Sequence, residues 1–399
     1  MATAPAPNPS PRFTAATGPT VLQVLPALAT GGVERGTVDM AWALMDSGWR
    51  AIVASSGGMM VREVERAGGR HATLPLDSRN PLAIRANAAP LAELIREAGV
   101  DLVHARSRAP AWSAWLAAQR TGVPFITTFH APYDFGFPFK RRYNAVMARG
   151  ARVIAISEFI AQHVTNEYGV DPGKIVVIPR GVDVRSFDPA TVSAVRVARL
   201  AHAWRLPDGV PVVMLPGRLT RWKGQTVLIE ALSRLGREDV IGVLVGSDQG
   251  RAEYRGELEK LIKRRGLGGR MRLVDQCNDM PAAYMLADVV VSASTDPEGF
   301  GRVSAEAQAM GRLVVASDHG GSREIVRPGE TGWLVPPADS SALAETLGRA
   351  LTLPGDQRTA MAQRAIDRVR AFFTRERMCE RTLDVYEEVI LEARSRRAA

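Results

Sequence analysis

Short apolar runs alternating with helix-length amphipathic stretches constrain this chain more than any other feature, and the alternation occurs twice. In the first half VLQVLPAL, RAIVASS, DLVHARS, PFITTFH, RVIAIS and KIVVIPRG read as strands. After the first of them, Val33, Thr37, Met40, Ala41, Leu44 and Met45 recur at helical spacing, and Gly48 closes that helix. A polar, helix-forming stretch follows PRGVDVRSFDP, and then VPVVMLPG, VIGVLVGS, MRLVDQ, DVVVSAS and RLVVASD restart the rhythm. Alternation of this kind builds a parallel sheet with helices on both faces. Runs that are apolar throughout, such as RVIAIS, suit strands buried on both sides. The restart predicts an α/β chain of two doubly wound Rossmann-like domains facing each other across a cleft, over residues 19–190 and 191–370. A length of 399 residues is ample for two such cores. Residues 371–399 read as a C-terminal helix returning towards the N-terminal domain, and the Pro/Ala/Ser-rich residues 1–18 as a disordered tail.

Composition narrows the class. No apolar run reaches the roughly 18–20 residues of a membrane span, and the start lacks the apolar stretch of a signal peptide, so a cytoplasmic protein is expected. Cys277 and Cys379 lie far apart in apolar or helical patterns, which predicts buried free thiols and neither a disulfide framework nor a zinc site. The net charge of +9 favours anionic partners: diphosphates, an acidic lipid surface or nucleic acid. No nucleic-acid reading element or stacking platform is recognisable, so nucleic acid is not expected as a partner.

Ligands of doubly wound folds bind beyond the carboxyl ends of the strands, and the chemistry-bearing motifs follow strands. In TDPEGFGRVSAEAQAMGR, Glu298 and Glu306 are eight apart. On one helix they would be rotated by roughly 80°, so they converge only if the first lies in a loop and the second on the helix. Gly299-Phe300-Gly301 supplies the break, and a helix starting near Arg302 aims its free N–H groups at the ligand. In PGRLTRWKGQ, Arg218 and Lys223 are five apart in a glycine-containing loop entering a helix, which reads either as a solvated basic turn or as fixed cations for a diphosphate gaining charge. Arg221 is an extra basic residue there. In ATGGVERG, Gly31 and Gly32 admit a phosphate or acceptor at a helix N-terminus, or form a plain turn. Glu34 either touches the acceptor or complements the dipole of its own helix.

EGFGRVSAE resembles the paired-glutamate motif of the retaining glycosyltransferases of family 4, which have the GT-B fold, and the likeness runs from Val21 to about Tyr386. The resemblance implies that Glu298 contacts the transferred sugar, Glu306 the ribose, and the amides of Gly299, Phe300 and Gly301 sugar hydroxyls or phosphate. It assigns Arg218 and Lys223 to the diphosphate, with Gly31 and Gly32 opposite. His130, at the end of PFITTFH, matches the family histidine beside the donor sugar, although Ala131 stands where the family often has aspartate. Arg180 stands where asparagine is common, Gly320-Gly321 reads as a turn of the fold, and His104 looks structural.

The implied reaction moves a hexose-type sugar, with retention, from a UDP- or GDP-sugar to a glycan or glycolipid hydroxyl. It uses no cofactor and no metal, arginine, lysine and helix dipoles doing the metal's work. A lipid-linked envelope glycan such as lipopolysaccharide core is the expected acceptor, with a soluble acceptor as the alternative. A nucleotide-sugar epimerase of similar fold is the rival activity. YDFGFPFKRRYNAVMARGAR joins Phe135, Phe137 and Phe139 to Lys140, Arg141 and Arg142. These residues form either an acceptor or anionic-membrane element, placing the enzyme peripherally on the membrane, or a loop whose aromatics pack on the core.

Overall fold

The computed structural model describes residues 18–133, 136, 139–250 and 252–398. Residues 1–17 of the expected tail, and Phe135 and Phe137 of the aromatic loop, lie outside them. Gly18, assigned to the tail, is buried: a Cβ there would lie 2.2 Å from the Gly48 carbonyl oxygen.

The chain divides into two compact units. The first contains a seven-stranded sheet of β1 (Thr20–Val24), β2 (Arg50–Ser55), β3 (Arg70–Thr73), β4 (Leu102–Ala105), β5 (Phe125–Phe129), β6 (Val153–Ala155) and β7 (Ile175–Val177), in the order β3-β2-β1-β4-β5-β6-β7. The second contains β8 (Val212–Pro216), β9 (Ile241–Val245), β10 (Met271–Val274), β11 (Val289–Ser292), β12 (Leu313–Ser317) and β13 (Trp333–Val335), in the order β10-β9-β8-β11-β12-β13. Every pairing within the two sheets is parallel. The order reverses beside β1 and again beside β8, the doubly wound arrangement expected, and the fold is GT-B.

Two strands escaped the sequence reading, β3 and β13. Both are sheet edges paired on one side only. An edge strand needs no continuous apolar run, and RHAT has none. In the second unit, Val213, Leu215, Leu228, Val289, Val291, Val315, Leu343 and Leu347 form one buried cluster between sheet and helices.

The units exchange chain at other points than 190/191 and 370/371. The first comprises Met1–Ala155, Ala161–Ile178 and Cys379–Ala399; the second comprises Ile156–Ile160 and Pro179–Met378. Residues 179–190 leave the first unit because they are tied to the stretch after the helix Gly355–Phe372. Val182 N–H donates to Phe373 O (2.8 Å), Arg375 N–H donates to Val182 O (2.9 Å), and a Cβ on Gly181 would sit 2.4 Å from Arg375 Cα.

The helix Arg375–Ala398 contributes its last twenty or so residues to the first unit through polar contacts as well as apolar ones. Arg152 meets Glu388 at 2.5 Å and Glu392 at 2.6 Å, and Tyr386 OH lies 2.7 Å from His104 Nδ1. His104 is fully buried, as its structural reading requires, and its Nε2 lies 2.7 Å from Thr128 Oγ1. Burial, and then the Arg106 charge, hold His104 well below the ordinary histidine range. Of the two thiols expected to be buried, Cys379 is and Cys277 is only half-buried; both are free.

Candidate active site

Three strand-to-helix loops at the carboxyl ends of β8, β11 and β12 press on one another in the second unit. The β8 loop runs to Gly224, which caps the helix Gln225–Arg234 at φ +71°. A Cβ on Gly224 would fall 1.8 Å from the Ala293 carbonyl oxygen, so only glycine brings the two loops this close. Thr295 N–H then donates to Trp222 O at 2.7 Å. The β12 turn closes from the other side. Gly321 N–H donates to Glu298 O at 2.9 Å, and Cβ atoms on Gly320 and Gly321 would lie 2.5 Å from Glu298 O and 2.4 Å from Phe300 O. The SDHGG turn is thus the backing of the EGFG loop.

Within this frame Lys223 Nζ lies 2.7 Å from Glu298 Oε1, with only 13% and 11% of the two side chains exposed. Ser294 Oγ donates to the same carboxylate oxygen at 2.5 Å, and Ser292 Oγ at 3.4 Å. Burial alone would raise the Glu298 carboxyl. The Lys223 charge and the three hydrogen bonds outweigh it and hold the group below its ordinary value. Arg218 is exposed, and its side chain has no ion-pair partner among the described residues. Its backbone is fixed instead, the buried Gln225 amide donating to Arg218 O at 2.9 Å. Arg221 is spent on Glu257, both bonds 2.6 Å.

The break between the two glutamates falls at Gly301, at φ +99°, after which the helix Arg302–Ala309 begins. Glu298 lies in the loop and Glu306 on the helix. Among the described residues the N–H groups of Gly299, Phe300 and Gly301 donate to no protein acceptor, which leaves three amides and a helix N-terminus to bind oxygens. Glu306 is buried; Tyr284 OH donates to its Oε2 at 2.9 Å and Arg302 Nε to its Oε1 at 2.6 Å.

Residues 30–186 match Glycosyltransferase Family 4, and residues 199–368 match Glycosyl transferases group 1. A protein of Salinispora tropica named D-inositol 3-phosphate glycosyltransferase is 34% identical over 328 residues, covering 76% of this chain and 67% of that one. A crystal structure of a glycosyltransferase from Rickettsia africae superposes with a TM-score of 0.87 at 37% identity, over 94% of this chain and 99% of that one. The chain belongs to glycosyltransferase family 4. The fold is also that of the Anabaena protein HepE, whose crystal structure is a complex with UDP-glucose: TM-score 0.81, 24% identity, 92% of this chain and 99% of that one.

In the first unit of this family 4 glycosyltransferase, Gly31 and Gly32 precede and open the helix Gly32–Asp46 after β1. The Glu34 carboxylate folds back over Gly31, where a Cβ would meet Glu34 Oε2 at 2.3 Å. A carboxylate in the first turn also complements the dipole of its own helix. His130 follows the last residue of β5 and is half-buried. Beside it Tyr133 receives the Arg108 guanidinium over its ring at 4.5 Å, and burial pushes its hydroxyl up to about 12.

Arg141 is exposed and donates to the Glu167 carbonyl oxygen through Nε (2.9 Å) and Nη2 (2.5 Å). Arg142 is exposed and Lys140 half-buried, in the short helix Lys140–Asn144, and Phe139 ahead of them is 79% exposed.

Four residues of the site were not singled out from sequence. Ser157 is buried, donates to Gly299 O at 2.6 Å and accepts from Ile160 N–H at 3.1 Å. Glu324 accepts the N–H groups of Glu158 and Phe159, both at 2.9 Å, and burial raises its carboxyl. His319 Nε2 holds Ser294 O at 2.8 Å, and Tyr284 holds Glu306. Only Ser157 carried a local signal, as a serine between a strand and a helix. Among the described residues no three His, Cys, Asp or Glu side chains are grouped to hold a metal ion.

Proposed function

We propose that this glycosyltransferase moves a hexose-type sugar from a UDP- or GDP-sugar to a hydroxyl acceptor with retention of anomeric configuration and without a metal ion. The observation that carries the reading is the buried Lys223–Glu298 pair, 2.7 Å apart between the β8 and β11 loops. It offers a cation for the departing diphosphate and a carboxylate held ionised for sugar hydroxyls. Arg218 adds a second cation, and the amides of residues 299–301 add neutral donors. In the bond change, the C1–O bond to the diphosphate breaks as the acceptor oxygen bonds C1 on the same face. The acceptor's proton passes to the leaving diphosphate oxygen, so no protein base is required.

The name of the Salinispora relative favours a small phosphorylated polyol as acceptor over the lipopolysaccharide core expected from sequence. UDP is the first nucleotide to try, because HepE was crystallised with UDP-glucose. A lipid-linked acceptor is the second reading, favoured by Phe139 beside Lys140 and Arg142.

The test is a melting panel of UDP, GDP and their hexose conjugates with a chelator present, followed by NMR of the product formed from the donor that binds. An α-linked product from an α-linked donor supports the reading. A β-linked product, or activity that appears only when a metal is added, refutes retention or metal independence respectively. Co-sedimentation with anionic vesicles decides the second reading: equal binding by the protein and a Lys140→Glu/Arg142→Glu variant removes it.

A further inference from the structure

Tyr284 lies on the helix Met280–Leu286, 22 residues before the carboxylate it touches, and is fully buried. Burial first, and then the charge of Glu306 and the hydrogen bond to it, push its hydroxyl well above the ordinary tyrosine range. It is therefore a donor at any working pH. It is also fixed: the Phe187 ring meets its own at 6.0 Å, edge to face, and Asp279 caps its helix by accepting from Ala282 N–H at 3.2 Å. Arg196 holds Asp279 in turn through two bonds of 2.9 and 2.6 Å. The hydroxyl is thus set by packing that does not involve Glu306.

The Glu306 carboxylate has two oxygens with about four lone-pair sites between them. Tyr284 OH takes one on Oε2 and Arg302 Nε one on Oε1. One site remains on each oxygen, which is the pattern that accepts two neighbouring hydroxyls at once. We propose that Tyr284 is a positioning residue that turns Glu306 so that both oxygens receive a vicinal diol, and that it thereby makes the site selective for ribonucleotides over deoxyribonucleotides. This rests on the reading of Glu306 as the ribose carboxylate. Without the tyrosine, the carboxylate rotates towards Arg302 and presents one oxygen where two are needed. Both classes of nucleotide then bind alike.

The experiment measures dissociation constants of UDP and 2′-deoxy-UDP, and of GDP and 2′-deoxy-GDP, by calorimetry on the full chain and its variants. The intact protein binds the ribonucleotide of the preferred base more tightly, by about 10-fold or more, the scale of a hydrogen bond to a charged group. In Tyr284→Phe that ratio falls to near one, chiefly through weaker ribonucleotide binding, while the Tm stays high enough to work at 25 °C. Adding Tyr284→Phe to Glu306→Gln changes the ratio no further. A ratio unchanged in Tyr284→Phe but lost in Glu306→Ala overturns the role of Tyr284 and leaves Glu306 at the ribose. A ratio unchanged in both overturns the assignment of Glu306 as well. Should Tyr284→Phe not fold, Glu306→Asp tests the same contact from the other side, since its shorter carboxylate cannot keep the bond to Tyr284; a retained ratio there overturns the proposal.

Discussion

Lys223 and Glu298 are nearly buried, and a buried pair is worth little as a net stabiliser but is costly to halve. Lys223→Ala leaves the nearly buried Glu298 carboxylate with only serine hydroxyls to hold it. We expect a loss of about 3 kcal/mol in stability, measured by urea unfolding, and a fall in turnover of about 10²–10³, measured with the donor identified in the melting panel. The same pair sets a pH dependence. Glu298 is lowered relative to the unfolded chain, so its contribution is fully present above the ordinary carboxylate value of about 4.3. It is lost as the pH falls through the lowered folded value. The intact protein should therefore keep this stability through mildly acid conditions, and Glu298→Gln should flatten the low-pH end of a Tm-against-pH curve. An unchanged curve in the variant would show that other carboxylates govern acid unfolding.

Elements, and not residues alone, make the site, because its parts are loops held by the turns behind them. Gly224 combines a left-handed backbone with a carbonyl 1.8 Å from where a Cβ would be. Gly224→Ala should cost about 3 kcal/mol and weaken nucleotide binding together with it, as seen in a melt with and without donor. A variant that loses stability while keeping full affinity would uncouple the β8 loop from the site. The sequence exposed those elements whose signal is local. EGFGR shows a glycine-broken entry to a helix, and PGRLTRWKG two cations before another, and both lie where the pattern puts them. Tyr284, Ser157 and His319 act on residues that are 22, 142 and 25 positions away, and such contacts exist only once strands are laid in order. The edge strand β3 was hidden because RHAT carries no apolar run, unlike the edge strands β7 and β10. Arg141 is an exposed cation as read, but nothing local announces that the Glu167 carbonyl will accept from it.

At the scale of the molecule, the return of the chain to its first unit is a stability feature. Tyr386, Val389 and Ile390 are buried by it, and the Tyr386 hydroxyl lies 2.7 Å from His104 Nδ1. Ending the chain after Met378 should lower the first calorimetric transition or remove it, and leave a second, nucleotide-stabilised one close to its original temperature. One unchanged cooperative transition would contradict that division.

The same return of the chain has a consequence for biosynthesis. Domains generally fold as units in the order in which they leave the ribosome, yet here the earliest residues wait for the latest. Until residue 386 emerges, the His104 imidazole in the first sheet has no phenol beside its Nδ1. The second unit, Ile156–Ile160 and Pro179–Met378, has all its residues before then. Premature termination between Met378 and Tyr386 then yields an unfinished first unit attached to a second unit whose residues are all present.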